Sequence, residues 1–416
     1  MTAGMSQVRK RSGSYTMRRG LLCTVAALGV WAAGTIGAAP DSVAADIRSK
    51  QWYLDAMRAE DIWKSSTGEG IKVAVIDTGV NSSTASLKGQ VLPGLDATDS
   101  EGEATDDYTG HGTTMAELIA GTGKGGGLRG LAPGAKIIPM RVATKDFKGK
   151  GVDPWDEAVA IRAAADSDAR IISMSLGTPF LTYQEQEAVK YAQSKGKLFF
   201  APVGNSGNKS NKREYPANYD EVVGVAATDR EGQVADYSQH GDFVDIAAPG
   251  NDIPYWCDAT FAKYCVGNAG TSAATALASA TAALIWSEHP DWTANQVLRV
   301  MFESAARGDD WKDKVSTYLG HGIVRPNAAI NRGIGKPGDP NLSPLTNEKT
   351  GGSTAPSASA PASSQPPKPK PGSDATVAGS SKSTSDGGQL GIIIGIGAAV
   401  VIAVGAFAVV RKRRTV

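Results

Sequence analysis

Four residues spread along the chain carry side chains that together would suit acyl transfer. Ser272 stands in GTSAATA, Gly270 to Ala276, ahead of an alanine-dominated run to Ile285 that reads as a buried helix. A hydroxyl at the first turn of a helix lies beside free backbone N–H groups and the positive end of the macrodipole, both favourable to a developing oxyanion. His111 lies in TGHGTTMAELIAG, where Gly110 and Gly112 leave its imidazole unobstructed at the start of a small-residue helix. Asp77 ends VAVIDTGV, and Asn205 ends the apolar run of FFAPVGNSG. In concert, Ser272 would attack a carbonyl while His111 takes its proton and returns it to the leaving amine. Asp77 would orient His111 and stabilise its imidazolium. The Asn205 carboxamide and the Ser272 N–H would hold the tetrahedral oxyanion. Singly, each has a plainer reading: Thr271 and Ser272 as a helix cap, Asp77 as a turn former. His240, His289 and His321 lie in a polar turn, after a helix and in a glycine turn, all weaker settings for catalysis.

The elements that would position these groups are legible as apolar runs. IKVAVID at 71–77, AKIIPMRVA at 135–143, ARIISMSLG at 169–177, KLFFAPVGN at 197–205 and EVVGVAATD at 221–229 are near-continuous and end on polar or glycine residues. Runs without polar alternation indicate strands covered on both faces, hence a mainly parallel sheet in an α/β sandwich. Pro154 to Ala165 and Thr182 to Ser194 have helical spacing. Open α/β sheets bind ligands at the carboxyl ends of their strands, where Asp77 and Asn205 fall.

The 416 residues hold Lys+Arg 43 against Asp+Glu 42, a formal charge of +1 that offers no basic field for nucleic acid. Residues 1–45 read as a secretory signal peptide, with Arg9, Lys10, Arg11, Arg18 and Arg19 ahead of a charge-free apolar run from Leu21 to Ala39. Leu390 to Val410 is charge-free and, as a helix, about 32 Å long, enough to cross a bilayer once. The basic tail 411–416, with Arg411, Lys412, Arg413 and Arg414, would stay cytoplasmic and leave the body outside the cell membrane. Residues 336–389, rich in Pro, Ser, Gly, Thr and Ala, read as a disordered linker, which leaves 46–335 as the folded body. Of three cysteines, Cys23 lies in the leader, and Cys257 and Cys265 suit one small disulfide loop in an exported domain, with two buried thiols as the alternative. No cofactor is expected. Asp96, Asp99, Asp106 and Asp107 offer carboxylates that could hold calcium, but they read better as a solvated acidic loop.

Asp, His and Ser in the order VAVIDTGV, GHGTTMA, GTSAATA, with Asn205 in GNSG, resemble the subtilisin-like serine proteases, for which that order is known. The resemblance covers most of residues 50–332, including GLAPGAKIIPMRV, YSQHGDFVDIAAPG and GHGIVRPNAAI. It implies a three-layer subtilisin-like fold and serine endopeptidase activity on proteins or peptides. Ser175, Leu176 and Gly177 would pair with extended substrate, and Gly149 and Gly151 would supply the opposing edge. Leader, body, Pro-rich linker, single span and basic tail resemble the mycosins, which implies a membrane-anchored role at a type VII secretion complex. A scaffold that braces such a complex with little proteolysis is the competing reading; an amidase or esterase with the same triad is a third.

Two features depart from the family pattern. Ala273 and Ala276 stand where a larger residue and a proline are usual, which would widen the cleft floor and loosen the helix start. The short segment from the leader to the first strand cannot form a folded prodomain, so Asp46 to Thr67 is expected to pack on the body through Trp52, Tyr53, Leu54, Ile62 and Trp63.

Overall fold

The structure, a computed structural model, describes residues 47–350 apart from 146, 148–153, 268 and 309–314. The signal peptide, the linker from 351, the span 390–410, the basic tail, Gly149 and Gly151 lie outside the described residues.

Seven parallel strands form the central sheet: β1 (Lys72–Asp77), β2 (Leu95–Asp96), β3 (Lys136–Arg141), β4 (Ile171–Met174), β5 (Leu198–Pro202), β6 (Val223–Thr228) and β7 (Ile246–Pro249), in the order β2-β3-β1-β4-β5-β6-β7. The continuous apolar runs have the cause inferred for them. Along β1, Val73 and Val75 enter one core while Ala74 and Ile76 enter the other, because successive side chains leave opposite faces of a strand. The first core is closed by α3 (His111–Ala120), α6 (Gly270–Glu288) and α7 (Ala294–Ser304), and the second by α4 (Pro154–Asp166) and α5 (Tyr183–Ser194). Thr293 starts α7 with a capping box, its side chain accepting from Gln296 N–H while the Gln296 side chain accepts from Thr293 N–H. β8 (Ile253–Trp256) and β9 (Tyr264–Gly267) form a separate antiparallel hairpin.

Two short helices, α1 (Trp52–Ala56) and α2 (Ala59–Ile62), carry the N-terminal extension onto this body. Tyr53, Leu54 and Ile62 are fully buried in the first core, each contributing about 1.5–3 kcal/mol of apolar burial for an aliphatic or aromatic side chain. Polar groups fix the register. Gln51 donates to the Arg129 carbonyl at 2.7 Å and accepts from Arg129 N–H at 3.1 Å, and the Arg129 guanidinium lies 3.6 Å over the Trp63 ring.

The far end corrects an expectation. Residues 336–350, read from composition as disordered linker, belong to the ordered body. The side chains of Thr293 and Asn295 both donate to the Pro340 carbonyl at 3.0 Å, Arg299 donates to the Leu342 carbonyl at 3.1 Å, and Leu345 packs on the core. Composition misleads here because α7 and its cap satisfy the backbone of a segment that lacks its own regular structure. The helix at α8 (Pro326–Ile330) precedes this strap.

Candidate active site

Asp77, Ser175 and Asn205 stand at or just past the carboxyl ends of β1, β4 and β5, three adjacent strands, while His111 and Ser272 stand at the starts of the two helices packed over that edge. Asp77 has no exposed surface. Its Oδ1 lies 2.7 Å from His111 Nδ1 and accepts from Thr78 N–H at 2.7 Å. An acceptor carboxylate at Nδ1 assigns the ring proton there and leaves Nε2 as the basic nitrogen.

The glycines around His111 are set by close approach. A Cβ on Gly112 would stand 2.2 Å from the Gly79 carbonyl oxygen and 3.0 Å from Asp77 Cβ, so only a glycine lets α3 come this near to β1. Gly110 has φ 90°, and a Cβ there would meet the Asp258 carbonyl oxygen at 2.9 Å.

Beneath this turn lies a group that sequence reasoning misassigned. Asp107, expected in a solvated acidic loop rather than at a calcium ion, is buried at 8% exposure. Its Oδ1 accepts from Thr78 Oγ1 at 2.8 Å, Gly110 N–H at 2.9 Å and Thr109 N–H at 3.0 Å; its Oδ2 accepts from Thr113 Oγ1 at 2.6 Å and Thr113 N–H at 2.9 Å. It is an N-terminal cap for the histidine helix. The available signal was its place four residues before the histidine, ahead of a helix start. Asp96 is also withdrawn from solvent, in a largely buried pair with Arg141 at 2.6 Å, whereas Asp99 and Asp106 are exposed. Among the described residues, no group of three or more His, Cys, Asp or Glu side chains is arranged to hold a metal ion.

Ser272 is the third residue of α6 and 7% exposed. At that position its N–H has no partner within the helix. Its Oγ lies 3.2 Å from the Ser175 carbonyl, and Ser175 Oγ returns a bond to the Ser272 carbonyl at 3.3 Å. Thr271 N–H and Thr271 Oγ1 meet Asn205 Oδ1 at 2.9 Å and 3.0 Å. Because a backbone N–H can only donate, the atom facing it must be the carboxamide oxygen, which leaves Nδ2 of the exposed Asn205 side chain as a free-facing donor. Gly270, with φ 78°, lets that side chain approach, since a Cβ there would stand 2.9 Å from Asn205 Nδ2. Ala273 and Ala276 depart from what was expected of them. Both are fully buried, and α6 runs unbroken over 19 residues, so Ala273 lines no open cleft floor and the helix start is intact.

Ser175 is buried, Leu176 half-buried and Gly177 exposed, and no strand is formed over the three. Opposite Gly177 lies Glu214, a residue the sequence reading passed over. A Cβ on Gly177 would stand 2.7 Å from Glu214 Oε2, and one on Gly204, next to Asn205, would stand 2.9 Å from Glu214 Cδ.

The β8–β9 hairpin closes the histidine side. Cys257 and Cys265 form a disulfide with Cα atoms 5.1 Å apart, Trp256 N–H donates to Thr114 Oγ1 at 3.0 Å, and Tyr264 Oη donates to Glu117 Oε2 at 2.7 Å. Glu117 also accepts from Thr84 Oγ1 at 2.8 Å; burial pushes its carboxyl up to about 7 against the lowering effect of these bonds. The other histidines stack on rings, His240 on Tyr318, His289 on Trp292 and His321 on Phe302. Burial pushes His321 down to about 4.

Residues 68–323 match the subtilase family of S8 peptidases. Thermitase of Thermoactinomyces vulgaris is 34% identical over 288 residues, covering 68% of this chain and 96% of the enzyme. Among solved structures, the serine protease MycP1, described as an essential component of the type VII (ESX-1) secretion system, superposes with a TM-score of 0.59 at 30% identity, over 67% of this chain and 88% of that one. MycP3 protease from the type VII (ESX-3) system gives a TM-score of 0.58 at 29% identity, over 67% and 88% of the two chains.

Proposed function

This chain belongs to the subtilase family and is a serine endopeptidase, and we propose that Asp77, His111, Ser272 and Asn205 perform its chemistry. The observation that carries the assignment is the 2.7 Å contact between His111 Nδ1 and the fully buried Asp77. Nε2 of His111 removes the Ser272 proton as Oγ attacks the peptide carbonyl, and the ring becomes an imidazolium beside a carboxylate that water does not reach. The Oδ2 of Asp77, buried and without a hydrogen-bond partner among the described residues, adds negative potential there. Negative charge on the carbonyl oxygen falls between Asn205 Nδ2 and the Ser272 N–H. Collapse expels the amine, which takes the proton from His111, and water then releases the acyl group from Ser272 by the reverse exchange.

The enzyme works outside the cell, held by one C-terminal span, and processes proteins that pass through a type VII secretion complex. Support comes from the leader, from Leu390 to Val410 with its basic flank, from the likeness to MycP1 and MycP3, and from the Cys257–Cys265 bridge, a bond of oxidising compartments. A fluorophosphonate probe applied to intact cells tests location and chemistry together. Wild type is expected to be labelled without permeabilisation and Ser272→Ala not at all. Labelling that needs permeabilisation would remove the extracytoplasmic placement, and wild type that resists the probe even when exposed would remove the triad.

A further inference from the structure

We propose that the side chain of a lysine or arginine, the residue whose carbonyl Ser272 attacks, passes between Gly177 and Gly204, with Glu214 as its counter-charge. This specificity rests on the protease chemistry proposed above and adds a substrate class to it.

Placement carries the first half of the inference. The Ser175 carbonyl touches Ser272 Oγ, and Gly177 lies two residues beyond it; Gly204 immediately precedes Asn205, whose amide faces the developing oxyanion. A substrate acyl group lodged at Ser272 is therefore flanked by both glycines. Because neither carries a side chain, the Glu214 carboxylate comes up to both: a Cβ on Gly177 would stand 2.7 Å from Glu214 Oε2, and one on Gly204 would stand 1.7 Å from Gln239 Nε2 and 2.9 Å from Glu214 Cδ.

Chemistry carries the second half. Gln239, itself fully buried, donates to Glu214 Oε1 at 2.8 Å and, through its own N–H, to the Gly204 carbonyl at 3.1 Å, so one carboxylate oxygen is held in register with the oxyanion residue. Tyr215, the next residue, exchanges two backbone hydrogen bonds with Thr178, at 3.0 and 2.8 Å, which holds Glu214 beside the Ser175 to Gly177 edge. Oε2 has no hydrogen-bond partner among the described residues and is not sealed from solvent. No ion pair neutralises Glu214 among the described residues; the exposed Lys145 acts on it only at longer range. Burial lifts its carboxyl above the ordinary carboxylate range, ahead of the lowering effects of Gln239 and Lys145. A half-buried, singly tethered carboxylate set against two glycines that flank the acyl position favours a cation carried on a long stem.

The test uses the full-length protein in detergent and peptides identical except for Lys, Arg, Met or Glu before the scissile bond. Wild type is expected to favour Lys and Arg over Met by roughly 10- to 100-fold in kcat/KM, the range for a charge-assisted hydrogen bond. Glu214→Gln should abolish most of that ratio, falling far more on Lys and Arg than on Met. Glu214→Lys should gain turnover of the Glu peptide, a result that a misfolded variant would not produce. Parallel protection of Ser272 from fluorophosphonate by peptide aldehydes ending in arginine or norleucine reads binding without turnover, with arginine expected to protect at the lower concentration. Wild type indifferent to the residue, or a Lys preference that survives Glu214→Gln, overturns the inference while labelling of Ser272 leaves the protease chemistry standing. Wild type neither labelled nor active on any peptide sinks the chemistry and the inference together.

Discussion

The two helices that present His111 and Ser272 begin alike and are anchored by opposite means. Each starts at a glycine with positive φ, Gly110 before α3 and Gly270 at the head of α6. At α3 a buried carboxylate, Asp107, takes five hydrogen bonds of 3.0 Å or less from the turn, and a second, Glu117, ties the same helix to Thr84 and Tyr264. At α6 the first turn is tied instead, among the described residues, by the neutral Asn205 carboxamide and the Ser175 exchange, and seventeen residues, Gly270 to Trp286, are buried. The difference matches the charge each helix start would carry in the proposed chemistry. A helix start is positive, which opposes an imidazolium and favours an oxyanion. The Asp107 carboxylate at the head of α3 offsets the first effect; among the described residues no carboxylate caps the first turn of α6, which preserves the second.

That contrast can be broken in steps of decreasing size. Ser272→Ala or His111→Ala should lower kcat by about 10⁶, the scale seen for a triad of this chain order, and Asp77→Ala by about 10⁴, in assays on any cleavable peptide. Asn205→Ala should lower kcat by about 10²–10³. Asn205→Asp, nearly isosteric, should do at least as much damage, because it brings an anion to the helix start that must receive one; a milder effect than alanine would refute the charge argument. Asp107→Asn should remove about 3 kcal/mol from the folding free energy measured in urea, since it sets an amide against buried donors.

The smallest effect concerns Glu117. Its folded carboxyl is raised to about 7 from an unfolded value of 4.5, so between those limits the folded state holds a proton that the unfolded chain has lost. Stability from this group is present below about 4.5 and falls as pH rises to about 7. Glu117→Gln should flatten the decline in urea midpoint across that window by up to one proton. Glu185 and Asp245, also raised to about 7 by burial, should keep part of the slope.

Much of this architecture was legible because its causes are local. Continuous apolar runs marked β1, β3, β4, β5 and β6 within a few residues, since both sheet faces are covered. The residues proposed to react stand out in the sequence through residue type beside glycine or at strand ends. What escaped depends on long-range closure. Asp107 looks like any surface aspartate until Thr78, 29 positions earlier, folds over it. Glu214 lies in a polar stretch, and only the fold sets it opposite Gly177. The strap at 336–350 has the composition of a linker and is ordered by α7, which composition does not see.

The 2.2 Å that separates the Gly79 carbonyl from a would-be methyl on Gly112 also matters for recognising inactive relatives. A homologue could retain aspartate, histidine and serine in register and still be silent, its histidine lifted off the aspartate by one added carbon. Surveys that score enzymes as living or dead by their three reactive letters would count it among the living. For this fold, the glycine after the histidine belongs in the signature as firmly as the histidine does.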